Sequence, residues 1–313
     1  MISLADFRQR QSAPLESKVA HSLRRIREWI EHWDGRVYCG FSGGKDSTVL
    51  RHLIRLIDKE VPAVFCDTGL EYPEIKQFIA ACENVITVRP AISFRQVIEQ
   101  FGYAVVSKRV AKRIRVIREA AHNTKATRRL YLKGIRRDGT YSSRSKLADC
   151  YRKLLKAPFK ISEKCCDVLK KDPAHAYEKK TGRKPLIGIL ADESLDRRMN
   201  YMEHGCNAFT SSRPVSTPLA FWTEQDILRY IRKEKIPIAS VYGDIIELPN
   251  GELTTTAEKR TGCMFCMFGL QRELETTGTH RLRRMKQTHP KLYDYCMNDL
   301  GIAMVLWYLG IPE

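Results

Sequence analysis

The 313-residue sequence lacks any apolar run of about 18 residues, and its first residues do not form an apolar leader. These absences argue against a membrane span and a secretory signal, so we expect a cytoplasmic protein. Acidic residues are also scarce, because 36 Asp and Glu stand against 54 Lys and Arg, and the formal net charge is +18. No internal repeat is present, which argues against a solenoid or propeller. An excess of positive charge of this size favours a polyanionic partner.

Ten cysteines are present, but they are not spaced like a disulfide scaffold, and a chain of this length does not need one. The default is therefore a reducing compartment, in which clustered thiols serve metal binding or catalysis.

A phosphate-binding loop is predicted early in the chain. The short apolar run 37–41 is followed by Ser42-Gly-Gly-Lys-Asp-Ser47 and then by a helical pattern of Val49, Leu50, Leu53, Ile54 and Ile57. A strand, a glycine turn and a helix start direct backbone N–H groups and the positive end of the helix dipole at an anion. The spacing differs from the commoner Gly-x₄-Gly-Lys-Ser/Thr loop. A chance turn before a helix is the alternative.

Strands and helices alternate along the first half of the chain. We expect strands at 37–41, 63–66, 85–88 and 186–190, and helices at 15–33, 45–58 and 73–84. This alternation predicts an α/β fold, a parallel twisted sheet flanked by helices with ligands at the carboxyl ends of its strands. The expected domains are an N-terminal helical segment 1–34, a nucleotide-binding domain 35–250 and a helical, cysteine-containing region 251–313. Thr223 and Asp226 predict a capping box at a further helix.

The segment 105–160 is strongly basic, with 18 Lys and Arg against three acids. We expect a helix from Ser107 to about Ala121, and a poorly ordered insertion over 122–147. Such a block predicts binding of a nucleic acid, DNA or tRNA. A solvated insertion whose charge serves solubility is the alternative.

The loop Ser42–Ser47 resembles the signature of the PP-loop ATP pyrophosphatases, which cleave ATP between its α- and β-phosphates. Asp67-Thr68-Gly69, Glu193-Ser194 with Arg197, and Pro218-Leu219 with Trp222 and Asp226-Ile227 follow in order. The whole series, over residues 35–245, resembles the sulfonucleotide (PAPS/APS) reductase branch of that superfamily.

The resemblance implies a Rossmann-like fold that binds ATP and Mg²⁺. It places the nucleotide at Ser42, Gly43, Gly44, Lys45, Asp46, Ser47, Asp67, Thr68 and Gly69. The implied catalytic residues are Lys45, Asp46, Asp67 and Arg197, although a surface salt bridge is the alternative for Arg197.

A second motif consists of cysteines. Cys263-Met-Phe-Cys266 has the C-x₂-C spacing of two metal ligands, and a complete site needs two more. Together with Cys165-Cys166 it resembles the APS reductase pattern that holds a [4Fe–4S] cluster; a structural Zn²⁺ is the alternative. Because adjacent side chains diverge, we also expect Cys206 as a candidate ligand. The sequence alone does not specify which four of the five cysteines bind the metal.

One difference from the reductases bears on function. Their C-terminal Glu-Cys-Gly-x-His element supplies a catalytic cysteine, whereas residues 301–313 contain none. We therefore expect an AMP-forming enzyme that activates a nucleic-acid oxygen for sulfur insertion with help from an iron–sulfur cluster. The resemblance to tRNA thiolases and to the ATP pyrophosphatase of DNA phosphorothioation adds a cysteine desulfurase as a possible sulfur donor. The alternatives are a PAPS or APS reductase, and a non-catalytic, nucleotide-regulated module that binds nucleic acid.

Overall fold

The computed structural model describes residues 2–119 and 125–313. The chain divides into two compact units, each assembled from separated segments. The first unit comprises 1–67, 71–89 and 173–261, and the second comprises 68–70, 90–172 and 262–313.

Ten strands are present in the described residues. They are β1 (Val37–Gly40), β2 (Ala63–Cys66), β3 (Val85–Val88), β4 (Val105–Val106), β5 (Lys184–Ile187), β6 (Asn207–Ala208), β7 (Val215–Ser216), β8 (Ile245–Glu247), β9 (Leu253–Thr255) and β10 (Met267–Phe268).

Fourteen α-helices connect and flank these strands in the same part of the chain. They are α1 (Leu4–Ser12), α2 (Leu15–His32), α3 (Lys45–Arg55), α4 (Pro73–Ala80), α5 (Phe94–Phe101), α6 (Lys108–Arg118), α7 (Lys125–Lys133), α8 (Asp172–Thr181), α9 (Leu195–His204), α10 (Glu224–Glu234), α11 (Leu270–Thr277), α12 (Arg281–Thr288), α13 (Pro290–Asp294) and α14 (Ile302–Leu309). None of the described helices is long and apolar enough to cross a bilayer.

The first unit is built on a six-stranded sheet of order β3-β2-β1-β5-β7-β6. Every neighbouring pair is parallel except β6 with β7, which is antiparallel. The predicted α/β fold with a mostly parallel sheet is therefore confirmed. β1 is covered on both faces, since Val37, Tyr38 and Cys39 are all buried, as expected for a central parallel strand.

The position of β1 matters for ligand binding. It lies between β2 and β5, so its connection to α3 leaves the sheet where the strand order reverses. In open α/β sheets this is the crevice that receives ligands at the carboxyl ends of the strands. α3 follows at once and buries Val49, Leu50, Leu53 and Ile54.

Helix α10 begins as the sequence predicts. Thr223 is its N-cap, and the side chains of Thr223 and Asp226 form the reciprocal capping box. Lys18 of α2 pairs with this carboxylate, the Nζ–Oδ2 distance being 2.6 Å. Both side chains are almost fully buried, at 2% and 9% exposed. α2 and α10 are therefore joined by an ion pair that excludes water.

The second unit contains the basic segment. The prediction of a helix from Ser107 is confirmed for Lys108–Arg118, while Ala120 and Ala121 fall outside the described residues. The prediction of a poorly ordered insertion over 122–147 is wrong from residue 125 onward, because α7 is followed by an ordered hairpin turn; residues 122–124 lie outside the described residues. A short parallel pair, β4 with β10, completes this unit.

Candidate functional site

The loop between β1 and α3 depends on glycine at position 43. Gly43 has a φ of +72°, a conformation that side-chain-bearing residues rarely adopt. A Cβ atom there would lie 2.8 Å from Ile75 Cγ2 and 3.0 Å from Ile79 Cδ1. The loop is therefore pressed against α4, and residue 43 has no room for a side chain.

Hydroxyl groups hold the same loop closed. The Ser47 hydroxyl donates to the carbonyl of Gly44 at 2.9 Å and accepts from the backbone N–H of Ser42 at 3.2 Å. The two serine oxygens are 3.1 Å apart. Gly44 is the N-cap of α3 and has no side chain with which to cover the first N–H groups of the helix. The loop thus has the geometry of an anion site at a helix N-terminus.

Lys45 provides a cation beside these amides. Its side chain is only 6% exposed, and its Nζ lies 3.1 Å from Glu224 Oε1. The ammonium also lies 5.3 Å from the centroid of the Tyr242 ring. The hydroxyl of Tyr242 is in turn 2.5 Å from Thr261 Oγ1. Lys45 is therefore held at the loop by one carboxylate and one aromatic face.

Asp46 is the half-buried acid of the loop. Burial raises the pKa of its carboxyl, and the positive charges of Lys45, Arg260 and Arg197 act in the opposite direction. Behind it, a Cβ atom at Gly188 would lie 2.8 Å from the Asp46 carbonyl oxygen. The chain leaving β5 therefore contacts the start of α3 closely. Because burial disfavours the charged form of a carboxyl, a nearby cation stabilises the carboxylate.

Arg197 lies in a cluster of opposite charges. Glu193 pairs with Arg197, and it also accepts from Arg260 Nη1 at 3.2 Å. Burial lowers the pKa of the Arg197 guanidinium, with the like charge of Arg260 adding to this effect. The charges of both arginines also act on Asp46, so Arg197 lies near the Ser42–Ser47 loop. It also forms the salt bridge that was the alternative to a catalytic role, and that role stays a prediction.

Asp67 stands at the carboxyl end of β2, as predicted. Its carboxylate is paired with Lys76 at 2.8 Å and with Arg89 at 3.3 Å. The following residues belong to the second unit, where the Thr68 hydroxyl accepts from the N–H of Leu70 at 3.2 Å. Gly69 has a φ of +79°. The turn is therefore ordered, and Asp67 already has two cationic partners.

Four of the five candidate cysteines line one cavity of the second unit. Cys165, Cys166, Cys263 and Cys266 share it with apolar side chains, among them Leu70, Phe94, Phe265 and Met267. Cys165 Sγ and Cys166 Sγ are 4.0 Å apart. Four thiols in an apolar wall are the donor set that iron–sulfur clusters and structural zinc use.

The fifth cysteine is placed elsewhere. Cys206 belongs to the first unit, where it is buried with its Sγ 3.9 Å from His21 Nε2. The argument that adjacent cysteines must diverge is therefore wrong for this pair. Cys165 and Cys166 lie in helical backbone, where successive side chains are about 100° apart around the axis rather than on opposite faces.

The cavity thiols differ in acidity. The hydrogen bond from Cys165, aided by the charges of Lys108 and Lys170, lowers the pKa of Cys166 to about 6. The same hydrogen bond and burial raise the pKa of Cys165, and burial raises that of Cys266. Across residues 2–119 and 125–313, no group of three or more His, Cys, Asp or Glu is arranged to hold a metal ion. The four thiols suit a metal centre by their chemistry and line one cavity, although no three of them are arranged around an ion position.

Sequence reasoning missed three residues of the loop site, namely Glu224, Tyr242 and Arg260. Glu224 lies inside the Pro218–Ile227 motif, which is a sequence signal for its position. Arg260 stands three residues before Cys263, where its charge was a weak signal. Nothing in the sequence around Tyr242 indicates that its ring lies beside Lys45.

The chain resembles proteins of known family. The family model described as "Phosphoadenosine phosphosulfate reductase domain" matches residues 36–153 and 142–266. These ranges include the Ser42–Ser47 loop and all four cysteines of the cavity. Among solved structures the chain is similar to a phosphoadenylyl-sulfate (PAPS) reductase from Candida auris in a phosphate complex, with 14% identity and a TM-score of 0.40 over 77% of this chain and 91% of that chain. No curated protein matches the chain.

Proposed function

Because the chain belongs to the phosphoadenosine phosphosulfate reductase domain family, we propose that it is an enzyme that binds an adenine nucleotide by its phosphates at the Ser42–Ser47 loop. The observation that carries this proposal is the loop itself, an uncovered helix start at the point where the strand order reverses, with Lys45 fixed beside it. Arg197 and Arg260 add positive charge near the same loop. Backbone amides and fixed cations of this kind stabilise the charge that develops on a leaving phosphate.

The first candidate reaction is reduction of PAPS or APS, which family membership favours. A thiolate attacks the sulfate sulfur, the bond between that sulfur and the phosphate oxygen breaks, and the nucleotide leaves with the oxygen. A second thiol then releases sulfite, so that two thiols are oxidised to a disulfide while the sulfur gains two electrons. Since residues 301–313 contain no cysteine, an added dithiol reductant supplies the electrons in the test below.

The second candidate reaction is AMP transfer from ATP, which Lys45 and Asp46 favour. Here an acceptor oxygen bonds to the α-phosphorus, pyrophosphate leaves, and a sulfur nucleophile later displaces AMP. The acceptor would be an oxygen of a nucleic acid, with a cysteine desulfurase supplying the sulfur. Asp46 would hold the Mg²⁺ that offsets charge on pyrophosphate. Lys45 would neutralise the same group while its own position is kept by Glu224.

Product analysis separates these candidates. Purified protein is incubated with PAPS or APS and a dithiol, and in parallel with ATP, Mg²⁺ and nucleic acid. Sulfite with release of the nucleotide supports the first reaction, whereas AMP and pyrophosphate in equal amounts support the second. Lys45→Ala should abolish whichever activity is found, while Lys59→Ala, an exposed lysine beyond the far end of α3, should not. Formation of ADP, or no nucleotide binding at all, would contradict the proposal.

We also propose that Cys165, Cys166, Cys263 and Cys266 hold a [4Fe–4S] cluster, with Zn²⁺ in the same thiolates as the alternative. The support is their common cavity in the second unit and its apolar wall. Such a wall shields a cluster from water and tunes its potential. The lowered pKa of Cys166 favours metal binding because the thiolate is the ligand, whereas the raised pKa values of Cys165 and Cys266 oppose it.

Serine substitution tests the ligand set. Each of Cys165→Ser, Cys166→Ser, Cys263→Ser and Cys266→Ser should remove most of the bound iron and sulfide, because a hydroxyl is a poor ligand for iron. Cys206→Ser is the matched control, since this thiol lies in the other unit, and it should keep full metal content. The measurement is iron, sulfide and zinc analysis with an absorption spectrum after anaerobic purification. Unchanged metal in the Cys263 and Cys266 variants would rule this site out, and zinc without sulfide would select the alternative.

A further inference from the structure

An ordered basic hairpin follows α7 in the second unit. Ile135 and Tyr141 form an antiparallel bridge, and the turn between them is closed by the N–H of Arg136 donating to the carbonyl of Thr140 at 2.9 Å. Asp138 accepts from both the N–H and the hydroxyl of Thr140, at 2.9 and 2.7 Å. The N–H of Ser142 donates to the carbonyl of Gly134 at 2.7 Å. The hairpin is therefore preorganised by its own backbone.

The hairpin is also fixed to the rest of its unit. Arg113 of α6 donates to the carbonyl of Lys146 at 3.0 Å and to that of Arg144. The guanidinium of Arg113 lies 5.9 Å from the centroid of the Tyr131 ring. The N–H of Leu147 donates to the carbonyl of Tyr131 at 2.8 Å. A ligand that binds the hairpin would therefore meet a surface that is already ordered, which lowers the entropic cost of binding.

Tyr141 presents a large aromatic surface on this hairpin. Its side chain is 63% exposed, although it is a large hydrophobic residue. Gly134 makes room for the ring, since a Cβ atom there would lie 2.7 Å from Tyr141 Cε2. One part of the ring thus rests against the backbone while the rest faces solvent. An ordered, exposed aromatic ring is the type of platform on which an unpaired base stacks.

The charge of the segment 125–160 is almost entirely positive. Exposed cations follow one another along the segment, namely Arg129, Lys133, Arg136, Arg137, Arg144, Arg152, Lys153, Lys156 and Lys160. The three acids of 105–160 are all engaged within the structure: Glu119 with Arg115, Asp138 with Thr140, and Asp149 with Lys146 and Arg152. The acids therefore stabilise the segment itself, and a large positive excess faces solvent.

Three arginines of α6 are engaged within the second unit. Arg115 forms ion pairs with Glu163 at 2.7 Å and with Glu119 at 2.9 Å. Arg118 donates to the carbonyl of Phe159 at 2.7 Å, and Arg113 is used by the hairpin. These three arginines hold the second unit together, so they are less available to a ligand than the exposed cations of α7 and the hairpin.

We propose that the segment 125–160 binds single-stranded nucleic acid, with Tyr141 stacking on an unpaired base and the surrounding cations contacting phosphates. This inference rests on the hairpin and does not depend on which nucleotide reaction the first unit performs. A duplex offers the same phosphates, but its bases are already stacked on each other. Recognition by Tyr141 therefore distinguishes an unpaired strand from a duplex.

Fluorescence anisotropy of the full chain with labelled oligo(dT), oligo(U) and a duplex of equal length tests this proposal, without nucleotide present. Tyr141→Ala should weaken binding to at least one single strand by roughly tenfold, the effect of losing one stacked base. Binding of the duplex should be unchanged. Tyr141→Phe keeps the ring and should bind like the wild type. Trp307→Ala removes another exposed aromatic residue of the same unit, 79% exposed, and should have no effect.

Salt dependence tests the role of the cations. Replacing both Arg137 and Arg144 with glutamine should weaken all nucleic acids alike and lower the slope of log affinity against log salt by about 1.4, since each single-strand phosphate contact contributes ~0.7. The proposal is overturned if Tyr141→Ala binds single strands as tightly as Trp307→Ala does. Equal loss of duplex and single-strand binding in Tyr141→Ala would also overturn it, as would complete competition by polyglutamate at matched charge. Because no nucleotide is present, failure here leaves the proposed enzymatic function untouched.

Discussion

Lys45→Ala is expected to weaken binding of the adenine nucleotide roughly 10- to 100-fold, since a hydrogen bond to a charged group contributes ~1.5–3 kcal/mol. The ammonium is 6% exposed and is kept beside the loop by Glu224 and the Tyr242 ring. In the variant, water therefore does not fully replace its interaction with the phosphates. Isothermal titration with ATP, PAPS and APS measures the change.

The matched control for this variant is Lys59→Ala, which removes the same charge from an exposed position of the same unit. Nucleotide affinity should stay at the wild-type value in the control. The fold of Lys45→Ala should survive, because Glu224 is 45% exposed and regains water when its partner is lost. Equal nucleotide affinity in Lys45→Ala and the wild type would show that the phosphates bind elsewhere.

Lys18→Met is expected to destabilise the first unit by about 3–5 kcal/mol, because it leaves the buried carboxylate of Asp226 without its cation. For a chain of this size the midpoint of thermal unfolding should fall by about 10 °C. Thr223 still donates its N–H and hydroxyl to Asp226, each at 2.7 Å, so α10 should remain capped. Differential scanning calorimetry measures the effect.

The same two helices supply the control. Lys233 of α10 pairs with Glu16 of α2 at 2.8 Å, but the two side chains are 53% and 69% exposed. Lys233→Met should therefore leave the midpoint of thermal unfolding almost unchanged. Adding Asp226→Asn to Lys18→Met should recover part of the loss, since the uncompensated charge is then gone. If Lys18→Met is no more harmful than Lys233→Met, burial does not determine the energy of this ion pair.

The central strands were predictable from the sequence. The predicted bounds of the second and third strands agree with β2 and β3, and β1 differs by one residue, because short β-branched runs between glycine or polar turns are a strong local signal. β5 was displaced, expected at 186–190 and found at Lys184–Ile187. The apolar run continues to residue 190, but the strand ends at Ile187. Directly after it, Gly188 lies against the backbone of Asp46. Pro185 also argues against a strand on sequence grounds, although it lies within one.

α7 was not predictable in the same way. Amphipathic periodicity identifies helices that bury one face, but no residue of α7 is buried. Its order comes instead from tertiary contacts that a local pattern does not contain. Arg113 lies over the ring of Tyr131, and Arg152 donates to the carbonyl of Leu132 at 3.2 Å.

In the candidate site, too, features set by local sequence were predictable and features set by tertiary contacts were not. The phosphate loop follows from Ser42–Ser47 because strand, turn and helix start are contiguous in sequence. Glu224 and Tyr242 reach Lys45 only through the fold, at sequence separations that no motif spans. For the cysteines, spacing identified four candidates and the expected divergence of adjacent side chains added Cys206. Only the division into units separated Cys206 from the four that share a cavity.

Hydrogen exchange of the backbone amides of residues 42–47, with and without adenine nucleotide, tests the central claim most directly. If the phosphates bind at the start of α3, the exchange of these amides should slow markedly when nucleotide is added, and Lys45→Ala should reduce that protection at the same nucleotide concentration. Peptides from α14 should exchange at the same rate in both states. Nucleotide binding that protects another segment and leaves residues 42–47 unchanged would contradict the assignment of this loop.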